Sequence, residues 1–451
     1  MNYTDTIVAI STPVGLGAVG IVRLSGENAL AIAREMFSSS KIKDEIIPNV
    51  LYLGTLSYNG LSDKALMVYF KAPKSFTGED IVEFQCHGGR VILENALKGA
   101  CALGARLATN GEFSRRAFLN GKMDLANVEG MADMINAESE VAQRLAYSQF
   151  KGKVSEEVSS LQEELENVIA YVEASFDYPE EDMPAMNVPE VVEVLNSQIK
   201  KVESLVSTFT LGNTLKNGVS VAIVGQPNVG KSSLLNAILG FDRAIVTDIA
   251  GTTRDVLTSS YIYKGLKINL SDTAGIRESS DVIEQIGVDL ARKTVSSADI
   301  VLAVFDGNKP LTKGDLDLIK TLPKNRSFIA INKADLELNL DKSALGGIDV
   351  ITISAKTGEG IEDLKEKIYS FANASNVLST ESAIISSERQ ILALKEALGS
   401  LKVALNSIEY LSADLLIIDI RRAWEKYGEI TGTTASEHIV DTIFSKLCLG
   451  K

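Results

Sequence analysis

The chain alternates between three hydrophobic rhythms. Up to about residue 120, short apolar runs (Thr6 to Ile10, Val19 to Leu24, Ala65 to Phe70, Ile81 to Cys86) are separated by glycines and polar turns. Helical spacing appears near 27–37 and 90–103. Strands mixed with helices in this way predict an α+β domain. From 121 to about 215 glycines thin out, and Val158, Leu161, Leu165 and Val168 recur at three- and four-residue intervals, one face of a helix. Pro179, Pro184 and Pro189 mark a break between helices. From about 216 to 376, β-rich runs (Val219 to Val224, Ile268 to Ser271, Ile300 to Phe305, Phe328 to Asn332) each lead into a glycine or polar turn. That pattern predicts an α/β domain with a parallel sheet. From 377 to 451 the spacing is helical again, through Ile391, Leu394, Leu398 and Leu401. The expected architecture is an N-terminal α+β domain (1–120), a discontinuous helical domain (121–215 and 377–451) and an α/β domain inserted into it (216–376).

Composition narrows this picture. The 451 residues are 45% hydrophobic and 23% charged, which suits a globular protein and excludes a largely disordered one. No run approaches the ~18 apolar residues of a membrane span. Asp and Glu number 59 against 45 Lys and Arg, a net charge of −14. Residues 151–200 alone hold twelve carboxylates and three lysines. This balance argues against a broad basic face for a nucleic-acid backbone, though not against a local patch or a partner that supplies one. Three cysteines (Cys86, Cys101, Cys448) and an N-terminus without a secretory pattern lead us to expect a reducing, cytoplasmic setting.

The chemistry concentrates in the inserted domain. Gly225-Gln226-Pro227-Asn228-Val229-Gly230-Lys231-Ser232 follows a predicted strand and opens a predicted helix, Ser233 onward. This is the context a phosphate-binding loop requires. Its backbone N–H groups can wrap a β-phosphate, Lys231 can reach the β- and γ-phosphates, and Ser232 can ligate magnesium. Asp272-Thr273-Ala274-Gly275 follows a second strand, with a carboxylate for magnesium's water shell and a Gly275 N–H for the γ-phosphate. Asn332-Lys333-Ala334-Asp335 ends another. Asp335 can accept from guanine N1–H and its exocyclic amino group, two donors that adenine lacks. Ser354-Ala355-Lys356 supplies a loop for the guanine oxygen. Four such elements in order predict a Ras-like GTP-binding domain.

Two details stand apart. Ile276 occupies the place where many GTPases carry a water-orienting glutamine, so hydrolysis is either very slow or served from elsewhere. Glu284 is either a surface glutamate or the replacement. In Gly251-Thr252-Thr253-Arg254, a threonine falls where switch loops hold magnesium, and Arg254 is either a charge stabiliser or an ion-pair partner.

The chain resembles the tRNA modification GTPase MnmE (TrmE) family from end to end. The most specific stretches lie outside the nucleotide motifs: Asp5-Thr6-Ile7-Val8-Ala9, Gly20 to Gly26, Ser75-Phe76-Thr77-Gly78-Glu79-Asp80, His87-Gly88-Gly89, Gly111 to Asn120 and Cys448-Leu449-Gly450-Lys451. The resemblance implies a homodimer whose first domain dimerises and binds 5,10-methylene-tetrahydrofolate, or 5-formyl-tetrahydrofolate as an analogue, through Arg23, Glu83, Lys122 and Lys451. It implies nucleotide contacts along Asn228 to Ser233, Thr247-Asp248-Ile249-Ala250-Gly251-Thr252-Thr253, Asp272 to Gly275, Asn332, Lys333, Asp335 and Ser354 to Lys356. Magnesium would lie on Ser232 and Thr253. Potassium would lie on Asn228, Thr247, the Ile249 backbone and Thr252. Glu284 would orient water, and Cys448 would take part in the modification chemistry. The implied activity is potassium-activated GTP hydrolysis which, with the flavin enzyme MnmG, adds an aminomethyl or carboxymethylaminomethyl group to carbon 5 of wobble uridines in tRNA. A regulatory GTPase without modification activity is the alternative. One departure is Arg389-Gln390, where the resemblance leads us to expect Arg-His. His87, His438 and Trp424 are expected to pack or hydrogen-bond.

Overall fold

A computed structural model describes residues 5–13, 15–177, 188–241, 258–272, 298–373, 383–408, 410 and 413–450. The chain forms two compact units: Met1–Ala132 with Gln149–Val206 and Glu388–Lys451, and Asp133–Ser148 with Ser207–Ser387.

The first unit contains a seven-stranded sheet built from β1 (Ile7–Ile10), β2 (Gly17–Ser25), β3 (Phe37–Ser38), β4 (Tyr52–Tyr58), β5 (Leu61–Phe70), β6 (Ile81–Gly88) and β7 (Arg106–Leu107). Its order is β3-β4-β5-β6-β2-β1-β7, antiparallel except for the β1–β7 pair. Alternation sets its faces. Val22, Leu24, Met67, Val82 and Phe84 turn to one side, where Ile32, Ala33, Leu93 and Ala96 of the helices Ala29–Met36 and Arg90–Ala102 cover them. The opposite parity places Arg23 beside Glu83 on neighbouring strands. The strand β4, Tyr52–Tyr58, escapes the sequence reading because Gly54, Thr55 and Ser57 break its apolar run.

The helical part of this unit packs the helix Ala413–Thr431 against Lys153–Asp177 and Glu388–Ser407. Val158, Leu161 and Leu165 are buried, as the spacing predicts. A buried polar chain links the helices: the Tyr427 hydroxyl donates to Gln198 Oε1 (3.0 Å), and Gln198 Nε2 donates to Glu164 Oε2 (2.9 Å). At the departure, Gln390 is fully buried and donates to Glu129, as does Arg389, which also meets the last carbonyls of Ala413–Thr431. Pro189 stands in the first turn of the helix Val188–Ser207, where its missing N–H costs nothing. Pro179 and Pro184 lie outside the described residues.

The second unit holds a six-stranded sheet of β8 (Val219–Val224), β9 (Thr258–Tyr263), β10 (Leu266–Asp272), β11 (Ile300–Asp306), β12 (Ser327–Asn332) and β13 (Asp349–Thr352), in the order β13-β12-β11-β8-β10-β9. All neighbours are parallel except β9 and β10. β8, β11 and β12 are covered on both faces, which explains their unbroken apolar runs. The antiparallel edge strand β9, Thr-Ser-Ser-Tyr-Ile-Tyr, carries too little apolar pattern to announce itself. One core also includes Val141 and Leu145, from the helix Glu140–Phe150 that precedes the sheet by some seventy residues. The Val141 N–H donates to the Gly265 carbonyl (3.1 Å), and Lys267 pairs with Glu138. Among the described residues, no helix is long and apolar enough to cross a membrane.

Candidate functional site: a nucleotide pocket and a clamped arginine

In the second unit, parallel strands bring their C-terminal ends to one edge, where open α/β sheets bind ligands. From β8 the chain passes through Gly225 to Gly230 into the helix Lys231–Phe241. Gly230 has φ +98°, and a Cβ there would collide with Asn332 Nδ2, so only glycine fits. Asn228 holds φ +65° in the same loop. Lys231, 7% exposed, folds back so that Nζ donates to the carbonyls of Gly225 (2.8 Å) and Gln226 (2.9 Å). Ser232 and Ser233 lie exposed in the first helical turn.

Asn332 fastens three loops together. Its Nδ2 donates to the Val229 carbonyl (3.0 Å), and its Oδ1 accepts from the amides of Lys333 (2.8 Å) and Ala355 (3.0 Å). The Lys333 ammonium donates to Asp306 Oδ2 (2.6 Å) and reaches the Asn228 carbonyl (3.5 Å), tying the base-reading loop to the phosphate loop. The Ser354 hydroxyl donates to Asp335 Oδ1 (2.7 Å), and this bond, with Lys356 and Lys333 nearby, lowers the Asp335 pKa below its ordinary value. An ionised acceptor is what guanine's paired donors require. Asp306 and the Ser354–Asp335 bond were invisible in the motifs, because they depend on which strand ends become neighbours.

Several expected positions lie outside the described residues: Thr247, Asp248, Ile249, Ala250, Gly251, Thr252, Thr253, Arg254, Thr273, Ala274, Gly275, Ile276, Glu284 and Lys451. Asp272 ends β10.

The first unit gathers a second set. Arg23 Nε donates to Glu83 Oε1 (2.7 Å), with the side chains 22% and 13% exposed. The guanidinium lies 5.7 Å from the ring centres of both Phe76 and Phe113. Lys122, exposed, donates to the Pro73 carbonyl (2.9 Å). Cys448 is exposed, and its carbonyl accepts from Gly111 N (3.5 Å). The Ser11 hydroxyl donates to the Gly450 carbonyl (3.2 Å), so the tail runs against the first domain. Cys86 is buried on the helix-covered face, where desolvation and Asp63 push its thiol up to about 12, an unreactive value. His87 Nδ1 meets Asp63 Oδ1 (2.6 Å), in keeping with a hydrogen-bonding role.

One network was missed. Arg116, 1% exposed, donates to Asp5 (2.6 Å to Oδ1), Glu79 (3.2 Å) and Glu112 (3.1 Å), and Arg106 adds bonds to Asp5 and Glu112. The i,i+4 spacing of Glu112 and Arg116 was a usable signal. The sequence-distant Asp5 and Glu79 gave none.

A phosphate loop fastened to a guanine-reading loop at the open edge of a parallel sheet defines a GTPase of the P-loop class. Its surroundings narrow the class further. A family model described as the MnmE helical domain matches residues 125–448, and one described as the GTP-binding protein TrmE N-terminus matches 6–122. The tRNA modification GTPase MnmE of Aquifex aeolicus is 39% identical, over 99% of this chain and all of its own length. That of Clostridioides difficile is 37% identical over the whole of both. The chain belongs to the MnmE family of tRNA modification GTPases. Among solved structures, the G domain of the T. maritima FeoB iron transporter is 35% identical over 34% of this chain and 98% of that one, with a TM-score of 0.28.

Proposed function

We propose that this GTPase acts as a homodimer with the flavin enzyme MnmG, in the cytoplasm, to add an aminomethyl or carboxymethylaminomethyl group to carbon 5 of wobble uridines, with methylene-tetrahydrofolate as one-carbon source. The observation that carries the GTPase half is the bonding of Asn332, which fastens the phosphate loop to the two loops proposed to read guanine. The modification half rests on relatives that match the chain from end to end. The proposed domains are 1–120 for folate and dimerisation, 121–215 with 377–451 as the helical domain, and 216–376 for GTP.

Magnesium would be held by Ser232 and Thr253, and potassium by Asn228, Thr247, the Ile249 carbonyl and Thr252. Such cations neutralise charge that builds on the phosphates during transfer. The left-handed backbone of Asn228 and the exposure of Ser232 suit these roles. Lys231 would meet the β- and γ-phosphates, and Glu284 would orient the attacking water. Glu284→Ala is expected to bind GTP normally and lose about 100-fold in turnover; undiminished turnover would remove the assigned role. Asn228→Ala is expected to hydrolyse GTP at the same rate with or without potassium, so a retained potassium response would place the cation elsewhere. In the first domain, the Arg23 and Glu83 edges that make no hydrogen bond among the described residues suit a pterin, and Lys122 and Lys451 suit the glutamate oxygens.

The deciding experiment is mass spectrometry of tRNA nucleosides after incubation with this protein, MnmG, GTP, potassium and methylene-tetrahydrofolate. A modified wobble uridine that disappears when this protein is omitted supports the proposal. GTP hydrolysis with unmodified tRNA, using an MnmG shown to be active with another family member, would favour a purely regulatory GTPase.

A further inference from the structure

The Arg23 guanidinium has one carboxylate and two aromatic rings as close neighbours. Its Nε is bonded to Glu83, and the Phe76 and Phe113 rings each lie 5.7 Å away. Among the described residues its two terminal amino groups make no hydrogen bond, and neither does Glu83 Oε2. What remains is a donor fork beside a carboxyl oxygen.

Phe113 is fully buried, whereas Phe76 is half-buried and sits on the loop between β5 and β6. That loop is held by polar bonds on both sides of Phe76. Thr77, fully buried, shares a hydrogen bond with Ser25 (2.7 Å), and its carbonyl accepts from Asn120 (2.7 Å). Glu79 accepts from Arg116 and from the Ser25 hydroxyl (2.7 Å). Lys122 holds the Pro73 carbonyl (2.9 Å). Anchoring of this kind fixes where one half-buried ring lies.

We propose that Phe76 is a positioning residue: with Phe113 it clamps Arg23, so that the free edge of Arg23 and the free oxygen of Glu83 together read a flat heterocycle carrying a carbonyl beside an N–H. The pterin of a tetrahydrofolate has such an edge, and the proposal rests on the folate reading of this site. The carbonyl accepts from Arg23 and the N–H donates to Glu83. An unclamped arginine would lose rotamer freedom on binding, whereas the rings impose that order beforehand. Phe76 also packs beside Ile7 and Ala9, so a purely space-filling role is the competing account.

Leucine fills much of the ring's volume without its π-face, and tyrosine keeps the face. Full-length wild type, Phe76→Leu, Phe76→Met and Phe76→Tyr would be titrated with 5-formyl-tetrahydrofolate by calorimetry, with circular dichroism to verify folding. The expected result is about tenfold weaker binding for the leucine and methionine variants, the scale of one lost cation–π clamp, and binding within about threefold of wild type for tyrosine. A folded leucine or methionine variant that binds as tightly as wild type would reduce Phe76 to packing and overturn the clamp while leaving the folate reading intact. Wild type that binds no 5-formyl-tetrahydrofolate would overturn the folate reading, and the clamp with it.

Discussion

Arg116 shows how one side chain can hold a whole site in register. Three carboxylates from distant parts of the chain, Asp5, Glu79 and Glu112, converge on a guanidinium only 1% exposed. Burial alone would raise the Glu112 pKa, but Arg106, the Thr109 amide and Arg116 outweigh it, and the value falls below the ordinary one. Asp5 is lowered too, by Arg106 first and Arg116 with it, against its partial burial. A carboxylate whose pKa is depressed on folding adds stability above its unfolded value and loses it as pH falls below that range, about 4. The first unit is therefore expected to lose stability on acidification through the carboxylate range. Arg116→Gln leaves Glu79 without this cation and Glu112 with Arg106 alone. It is expected to cost about 3–5 kcal/mol, the usual penalty for breaking a buried charged network, read as a fall in the denaturant midpoint at neutral pH. A cost under about 1 kcal/mol would mean that Arg106 alone holds the network. Only one strand of this arrangement was legible in the sequence. Glu112 and Arg116 stand one helical turn apart and advertise a pair, whereas the convergence of Asp5 and Glu79 on that turn is decided by sheet order.

At the scale of elements, legibility followed burial geometry. β8, β11 and β12 are covered on both faces, so their composition alone marks them as strands. The half-polar β9 lies at the sheet edge and β4 carries a glycine, and neither stands out. Motif residues were legible because a phosphate loop demands residue types at fixed spacing, but their fastenings, Asp306 to Lys333 and Ser354 to Asp335, were not. The helix Glu140–Phe150 teaches a further limit. Its amphipathic pattern says that it buries a face, but periodicity carries no information about which core receives it. The structure gives Val141 and Leu145 to the core of the nucleotide-binding unit, beside Leu266 and Ile268. Leu145→Ala is accordingly expected to destabilise that unit by about 2–3 kcal/mol, even though residue 145 precedes the phosphate loop by eighty positions. The check is the unfolding transition that shifts when a GTP analogue is added. If the mutation leaves that transition in place, the helix contributes nothing to this core.

At the scale of the molecule, each of the two compact units is assembled from separated stretches of chain. Each also carries its own proposed ligand site, the nucleotide loops in one and the Arg23–Glu83 pair in the other. A ligand stabilises the unit that binds it by an amount set by its concentration over its dissociation constant, about 2.7 kcal/mol at a hundredfold excess. Any transfer of that stabilisation to the other unit measures coupling, and the coupling must be equal in both directions. A non-hydrolysable GTP analogue is therefore expected to raise the transition of the nucleotide unit, and 5-formyl-tetrahydrofolate that of the first unit, in calorimetric scans of the full chain. Whatever shift one ligand produces in the other's affinity must be returned by the second. A measured factor near one for the isolated protein would assign communication between GTP hydrolysis and folate chemistry to the assembled complex. A factor of five or more would place that communication within this chain, and the helix Glu140–Phe150 would be the first element to mutate, because it joins the nucleotide unit's core to the chain that continues at Gln149 into the first unit.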